Sequence, residues 1–513
     1  PLDIKAEADI HFLQGINQLI GHGWAYTPPQ VEYPGWRFYA AGIYDEKNPW
    51  WIVMPDLAAY LQRMSYLMRQ GTPQNDVALY LPNADAYAHM TAGKVHLIDM
   101  EREMVGEKIM PAIFEAGYNL NFFDDEMLRT VGTAEKGNLM LGSAKHHVVI
   151  LPGIERMPLE SLRKLDAFVK TGGILVATRR MPAIAPGVQV TGAQQAEFTA
   201  TAQRLFGGTN NNVKFVEKDD DAGTAIKSLM TPDADISPSA KDFGVVHRQT
   251  ADSDIYFVAN TSNQKRNVQV TFRAVSGAIK VWNAMNGTTV SADVRGATTD
   301  TTTVVLNFEP YQSHVVVFEK RGIDDPIKVD RVSTASSIDL SNDWRVTFGK
   351  DAPVAMRQLH SWADDEATRH FSGVASYERS FDLPANFSSS PSSVTLDFGE
   401  GTAIENTGSR NGMQTWYDPP IREAAVIYVN GEKAGSLWCP PYKLDVTRYL
   451  KAGHNEVRIL IGNTALNYMA GRKLPDYKLL NLRYGERFQA QDMDKVQILP
   501  SGLLGTVKLV SLN

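Results

Sequence analysis

The sequence predicts a multi-domain protein whose first half is α/β and whose second half is all-β. At 513 residues, the chain is long enough for three or four domains. Residues 72–190 alternate short apolar runs with helical stretches, which is typical of a parallel sheet covered by helices. From residue 241 onward, short strands follow one another without intervening helices, which indicates antiparallel β-structure.

The first segment, residues 1–71, is predicted to contain a helix, a strand and a second helix. Residues 7–13 have helical spacing, and the apolar run 16–21 is bounded by glycines, as expected of a buried parallel strand. Pro55 begins the second helix and Gly71 ends it. The apolar stripe of this helix consists of Leu57, Tyr60, Leu61, Met64, Leu67 and Met68.

One β/α unit cannot bury both faces of its strand, so this unit is expected to complete a core whose other strands lie upstream. The sequence begins at Pro1, with neither an initiator Met nor a signal sequence. We therefore expect residues 1–71 to be the C-terminal end of a (β/α)8 barrel, and the chain to be the C-terminal part of a longer protein. A periplasmic or secreted location is favoured, although the compartment stays open.

The predicted strand ends in a polar and aromatic tip that contains His22, Trp24 and Tyr26. In β/α barrels, residues at the carboxyl ends of the strands form the active site. His22 could hydrogen-bond a sugar hydroxyl, and Trp24 or Tyr26 could stack on a sugar ring. The alternative is that these side chains close the barrel mouth without touching a ligand.

Three polar residues in the next loop, Asp45, Glu46 and Asn48, could support that tip. We interpret each of them as a solvated loop residue.

Residues 72–240 are predicted to form a flavodoxin-like α/β domain of the amidotransferase-like type. A glutamine amidotransferase needs a cysteine nucleophile at a strand–helix turn, and Cys439, the only cysteine, lies far away in the β half. No glycine-rich phosphate-binding pattern begins a helix here. We therefore assign this domain a structural role.

Two β domains are predicted to follow. Residues 241–330 have the short alternating strands of an antiparallel β-sandwich. Residues 331–513 contain the pattern VIYVNGEKAGSLWCPPYKLDVTRYL, which resembles the galactose-binding-like jelly-roll domain of many glycoside hydrolases. Within it, Trp438 and Tyr442 are interpreted as core residues rather than as a sugar-binding platform.

The composition excludes several partner classes. The formal net charge is −7 and no Lys/Arg-rich run occurs, which argues against a nucleic-acid partner. No apolar run approaches the roughly 20 residues that a membrane span requires, so no membrane partner is expected. A single cysteine excludes an intrachain disulfide.

Taken together, the chain resembles glycoside hydrolase family 106, the α-L-rhamnosidases. The resemblance is carried by LDIKAEADIHFLQGINQLIGHGWAYTPP, by the helix DLAAYLQRMSYLMRQG, by VALYLP and HHVVILPG, and by ILPSGLLGTVKLV near the end. It implies hydrolysis of terminal α-L-rhamnosides, in a rhamnose-containing glycoside or polysaccharide, with inversion and with a calcium ion near the sugar.

Inverting hydrolysis needs a general acid and a general base. The resemblance implies that both carboxyls lie upstream of Pro1, so the catalytic residues and the metal ligands are unknown from this chain. Glu7 is a poor candidate for the base, because its spacing places it with Lys5 and Asp9 on the exposed side of a helix. The N-terminal half of the same enzyme is therefore the expected protein partner.

Two other functions remain open at this point. One is a non-catalytic carbohydrate-binding or scaffolding protein that acts through its jelly-roll domain. The other is part of a β-galactosidase-like enzyme with a similar order of domains.

Overall fold

The computed structural model describes residues 1–21, 29–31, 33–35, 44–320, 334–384, 387, 393–408, 415–470, 472, 478, 482, 483, 485 and 496–512. Within them, no helix is both long and apolar enough to cross a membrane.

The described part of the first segment contains two α-helices, α1 (Leu2–Leu13) and α2 (Met54–Leu67). A 3-10 helix, Pro49–Val53, leads directly into α2. Pro55 occupies the first turn of α2, as predicted. The predicted apolar stripe of α2 is confirmed: Leu57, Tyr60, Met64, Leu67 and Met68 are buried, and Leu61 is partly buried against the same core.

The predicted strand at residues 16–21 is wrong. This segment has no regular secondary structure, and Ile16 and Ile20 are 40% and 84% exposed. A strand needs a neighbour whose backbone groups complete its hydrogen bonds, and none of the described strands pairs with this segment.

The alternating region forms the predicted parallel sheet. Its five strands lie in the spatial order Leu120–Phe123, Val77–Tyr80, Val148–Pro152, Ile174–Thr178 and Val213–Val216. Successive side chains point to opposite faces, so that Val149 packs in one apolar core and Val148 and Ile150 pack in the other. The accompanying helices are Asn83–His89, Leu97–Val105, Ile109–Glu115, Asp125–Val131, Leu159–Lys170, Gly192–Phe206 and Ala222–Lys227.

A small antiparallel sheet is inserted into this region. It contains the strands Gly132–Glu135, Asn138–Leu141 and Ala144–His146.

A middle β-sandwich, which we define by its two antiparallel sheets, follows. The six-stranded sheet has the order Thr72–Pro73, Phe243–Gln249, Ser253–Asn260, Ser313–Glu319, Ala278–Asn283 and Thr288–Ser291. The four-stranded sheet has the order Ala234–Ser237, Arg266–Phe272, Thr302–Phe308 and Asp293–Ala297. The two strands that flank the parallel sheet in sequence, at 72–73 and 234–237, therefore both belong to this sandwich.

A buried charge network joins the parallel sheet to the middle β-sandwich. Asp76 directly precedes the strand Val77–Tyr80 and accepts a hydrogen bond of 2.6 Å from Arg273 Nη2. His247 lies between two carboxylates, with Nδ1 3.0 Å from Asp233 Oδ1 and Nε2 3.1 Å from Asp254 Oδ1.

A C-terminal β-sandwich also has two main antiparallel sheets. The six-stranded sheet has the order Val354–Gln358, Asn342–Phe348, Val374–Leu383, Gly453–Gly462, Ala424–Val429 and Glu432–Leu437. The four-stranded sheet has the order Thr334–Asp339, Lys508–Leu512, Ser393–Asp397 and Lys443–Asp445. Two short pairs, Thr402–Ala403 with Tyr417–Asp418 and Ile421–Arg422 with Gly502–Leu503, and the helix Leu466–Ala470 complete it.

One continuous apolar core connects α1 and α2 with both sandwiches. It contains Phe12 of α1, Tyr60 of α2, Phe257 of the middle β-sandwich and Trp438 of the C-terminal β-sandwich. The core interpretation of Trp438 and Tyr442 is confirmed, since both are buried. Cys439 is a free thiol in the same core.

Candidate functional site

The predicted substrate-binding residues His22, Trp24 and Tyr26 lie outside the described residues, so their roles stay predictions. The described residues that flank this tip in sequence, together with the residues that contact them, define the candidate site. They come from Gly21, from residues 29–31, 33–35 and 44–53, and from the C-terminal β-sandwich.

Three rings form an aromatic cluster: Tyr44, Trp50 and Trp51. Their centroids are 6.3 Å (Tyr44–Trp50), 5.9 Å (Tyr44–Trp51) and 5.6 Å (Trp50–Trp51) apart. A Cβ atom on Gly21 would lie 2.8 Å from Tyr44 Cε1, so the chain packs closely on this ring just before His22. The aromatic cluster therefore contacts the described residue that directly precedes the tip in sequence.

The C-terminal β-sandwich holds the aromatic cluster in place. Trp50 N donates to Asn463 O at 2.9 Å, and Ala465 N donates to Asn48 Oδ1 at 3.2 Å. A Cβ atom on Gly462 would lie 2.2 Å from Pro49 O, so this close approach of two backbones requires glycine. The position of the aromatic cluster therefore depends on a domain more than 400 residues away in sequence.

The three polar loop residues, Asp45, Glu46 and Asn48, differ in how exposed they are to solvent. Asp45 is 3% exposed, and its Oδ1 accepts a hydrogen bond of 2.9 Å from Lys47 N. Asn48 is half-buried and makes the contact to Ala465 given above. The interpretation as solvated residues is therefore wrong for Asp45 and Asn48, which build a turn, and right for Glu46, which is exposed.

Tyr33, on the same stretch of chain, forms a second aromatic contact, with Tyr468 of the C-terminal β-sandwich. Tyr33 packs edge-on against Tyr468, with ring centroids 4.8 Å apart, and the Arg472 guanidinium lies 3.8 Å from the centre of the Tyr468 ring. The Tyr33 hydroxyl is buried and has no hydrogen-bond partner among the described residues. Burial raises the pKa of Tyr33, so the group is a neutral donor at ordinary pH.

A buried ion pair fixes α1, the helix that leads into the tip. Lys5 Nζ donates to Asp9 Oδ2 at 2.7 Å and to Tyr311 O at 2.7 Å. Asp9 also accepts a hydrogen bond from the Tyr60 hydroxyl on α2. Burial, and next the nearby Asp9 carboxylate, raise the pKa of Tyr60.

The prediction that Lys5 and Asp9 are exposed is wrong, because these side chains are 2% and 5% exposed. Glu7 is exposed as predicted. The signal was present in the sequence, because Lys5 and Asp9 fall on the face that also carries Leu2, Ala6 and Phe12. Their spacing of four residues also permits an ion pair on one helix face.

The described residues contain no group of three or more His, Cys, Asp or Glu side chains placed to hold a metal ion. The calcium ion stays an expectation from the resemblance. What the described site supplies is aromatic rings, amide groups and a buried phenol donor, which suit the binding of a neutral polar ligand.

Comparison with known proteins gives a consistent result. The sequence model of glycoside hydrolase family 106, described as α-L-rhamnosidase, matches residues 1–295, more than half of the chain. A curated relative, a putative β-glucuronidase of Formosa agariphila, is 22% identical over 290 residues. That match covers 56% of this chain and 23% of the relative.

Among solved structures, the rhamnosidase of Novosphingobium sp. PP1Y superposes with a TM-score of 0.70 and 20% identity. The superposition covers 99% of this chain and 46% of that chain, and it indicates a shared fold. The family 42 β-galactosidase Gan42B matches with 13% identity over 52% of this chain and 43% of that chain. Its TM-score of 0.34 is too low to support an argument. The chain thus spans about half of the solved rhamnosidase and about a quarter of the curated relative.

Proposed function

The chain belongs to glycoside hydrolase family 106, and we propose that it takes part in the hydrolysis of terminal α-L-rhamnosides. The observation that carries this proposal is the family match over residues 1–295, which includes the tip, the aromatic cluster and α1. The substrate class is a rhamnose-containing glycoside or polysaccharide.

Within this function, His22, Trp24 and Tyr26 bind the sugar. An indole or phenol ring packs on the apolar face of a pyranose, and the imidazole hydrogen-bonds a hydroxyl group. This assignment is supported by the aromatic cluster, whose Tyr44 ring contacts Gly21, the residue that directly precedes the tip in sequence. The cluster is anchored by backbone hydrogen bonds, so it provides a rigid support for the tip.

The chemistry is inversion at the anomeric carbon. One carboxylic acid protonates the leaving oxygen, and one carboxylate activates a water on the opposite face of the ring, the two being roughly 6.5–9.5 Å apart. We place both groups outside this chain, on preceding barrel strands. Glu7 and Glu46 are exposed, whereas a general acid needs burial to keep its proton near neutral pH. Asp45 is buried, but it is used in the turn at Lys47.

The finer assignment of the fold follows the same family membership. Residues 1–71 are the end of a (β/α)8 barrel, residues 72–240 are an amidotransferase-like, flavodoxin-like domain, and residues 331–513 are a galactose-binding-like jelly roll. These assignments are supported by the superposition on the solved rhamnosidase over 99% of the chain. Calcium belongs to the proposal only as an expectation for the intact enzyme.

The test is a hydrolysis assay with an aryl α-L-rhamnoside and an aryl β-galactoside as matched substrates. The chain is assayed alone and again with the N-terminal half of the enzyme. We expect rhamnoside cleavage only in the combined sample. Activity of residues 1–513 alone would overturn the placement of the carboxyl pair, and preferential cleavage of the galactoside would overturn the substrate class.

A further inference from the structure

A cleft lies between the last turns of α2 and the β-hairpin formed by the strands Ala278–Asn283 and Thr288–Ser291. We call it the hairpin cleft; its volume is about 490 Å³, and it is bordered by Gln62, Arg63, Tyr66, Trp282, Thr288 and Thr289. Ligand pockets in proteins are typically about 300–1,000 Å³. The hairpin cleft is therefore large enough for a small ligand.

The hairpin cleft is separate from the aromatic cluster. The helix α2 has 14 residues, so its two ends lie roughly 20 Å apart. The aromatic cluster adjoins the first turn of α2, and the hairpin cleft is formed at the last turns.

The walls combine aromatic rings with polar groups. Tyr66 is 59% exposed, and Trp282 packs partly against the main core while also lining the hairpin cleft. Thr289 pairs directly with Trp282 across the hairpin, so the two side chains share one face of the sheet. The side chains of Gln62, Tyr66 and Thr289 make no hydrogen bond to another described residue, and so their donors and acceptors are available.

The described walls of the hairpin cleft carry a single charged side chain. Among the described residues that line the hairpin cleft, none is acidic, and Arg63 is the one charged side chain. Arg63 Nη1 donates to Ala284 O and Met285 O, both at 3.0 Å, so the guanidinium supports the hairpin turn. A ligand with apolar C–H faces and several hydroxyl groups matches the aromatic rings and the polar side chains of these walls.

From these observations we infer that the hairpin cleft binds a neutral pyranoside unit of a glycan, at a distance from the site where the glycoside is cleaved. Tyr66 and Trp282 contact the ring, and Gln62 and Thr289 hydrogen-bond its hydroxyl groups. The choice of a rhamnoside as the first probe rests on the proposed function, whereas the existence of the cleft does not.

The experiment measures binding by saturation-transfer NMR and by calorimetry, with methyl α-L-rhamnoside and methyl β-D-galactoside as probes. The intact protein carries His22→Ala, Trp24→Ala and Tyr26→Ala, so that the three tip residues assigned to sugar binding are removed. In this background we expect saturable binding of at least one probe. Tyr66→Ala should weaken it at least tenfold, and Gln62→Ala, which removes an amide that hydrogen-bonds the sugar, should weaken it severalfold.

The matched control is Tyr87→Ala, because Tyr87 is also exposed, at 61%, but lies on a helix of the parallel-sheet region. It should bind both probes as the background does. Melting curves show that the variants are folded. Absence of saturable binding, or equal binding by the Tyr66→Ala protein, would overturn the inference. Hydrolysis is measured separately, so failure of the binding inference and failure of the proposed function can be told apart.

Discussion

Single residues decide where α1 lies. Lys5 and Asp9 form an ion pair inside the main core, and Tyr60 of α2 and the backbone of Tyr311 complete its hydrogen bonds. A buried pair of this kind adds little net stability compared with apolar residues, but removing one partner leaves an unpaired buried charge. The pair therefore fixes how α1 contacts α2 and the middle β-sandwich.

Replacing Lys5 by Met should destabilise the protein by about 3–5 kcal/mol, because Asp9 stays buried without its cation. Urea unfolding followed by circular dichroism measures this loss. The control is Glu7→Ala on the exposed side of the same helix, which should change stability by less than about 0.5 kcal/mol. Equal effects of the two substitutions would contradict the buried ion pair.

The tip residues give a second prediction at this scale. In the intact enzyme, His22→Ala or Trp24→Ala should lower kcat/KM for an aryl α-L-rhamnoside by roughly tenfold or more, since about 1.4 kcal/mol of lost binding corresponds to a factor of ten. The melting temperature should hardly change. A fall of several degrees with unchanged kinetics would instead assign these side chains to packing.

At the scale of elements, the charge network around His247 joins two parts of the fold. Both imidazole nitrogens face carboxylate oxygens, which can only accept hydrogen bonds, so both nitrogens must carry a proton. Burial lowers the pKa of His247, but Asp233 and Asp254 more than offset this and raise it to about 9. Arg273, Asp76 and Lys320 are the further charged groups of the network.

This network predicts loss of stability in mild alkali. The pKa of His247 is higher in the folded protein than the usual 6.5, so its proton stabilises the folded state. The stabilisation is complete below about pH 6.5 and is lost as the pH rises through about 9, with a size on the order of 3 kcal/mol. Urea unfolding between pH 6 and 10 measures it.

His247→Gln should flatten this pH dependence, because glutamine does not titrate. His96→Gln, at an exposed histidine, is the control and should leave the dependence as it is in the unaltered protein. An unchanged pH profile in His247→Gln would show that other groups are responsible.

Local sequence patterns predicted some elements well and others poorly. The strands Val77–Tyr80, Val148–Pro152 and Ile174–Thr178 are short apolar runs followed by helices, and such runs identify buried parallel strands. The pairing of Thr72–Pro73 with residues 248–249 could not be predicted, because it joins positions far apart in sequence. The wrong strand at residues 16–21 has the same cause, since an apolar run specifies a strand only where a neighbouring strand pairs with it.

At the scale of the whole molecule, one core connects the helices α1 and α2 with two β-sandwiches. Tyr60 and Trp438 pack edge-on across this junction, with ring centroids 6.4 Å apart. The candidate site depends on the same junction, because the C-terminal β-sandwich holds the loop that carries Trp50. The aromatic residues of this loop are visible in the sequence, but the domain that positions them is not.

Trp438→Ala should therefore act on both sides of the junction. Removing a buried tryptophan costs about 3–5 kcal/mol, and the loss should extend to α2 through Tyr60. Hydrogen exchange of the α2 amides, together with thermal melting, measures the effect. Val354→Ala, at a half-exposed position of the same sandwich, is the control, and faster exchange in both variants would contradict a specific junction.

Cys439 gives this junction a built-in chemical reporter. Burial raises the pKa of its thiol to about 11, and thiol reagents attack the thiolate, so the native side chain is protected twice, by burial and by protonation. With one cysteine in 513 residues, every alkylation event reports the same place. The rate of alkylation at neutral pH should therefore measure how often the helices part from the C-terminal β-sandwich, without an introduced label.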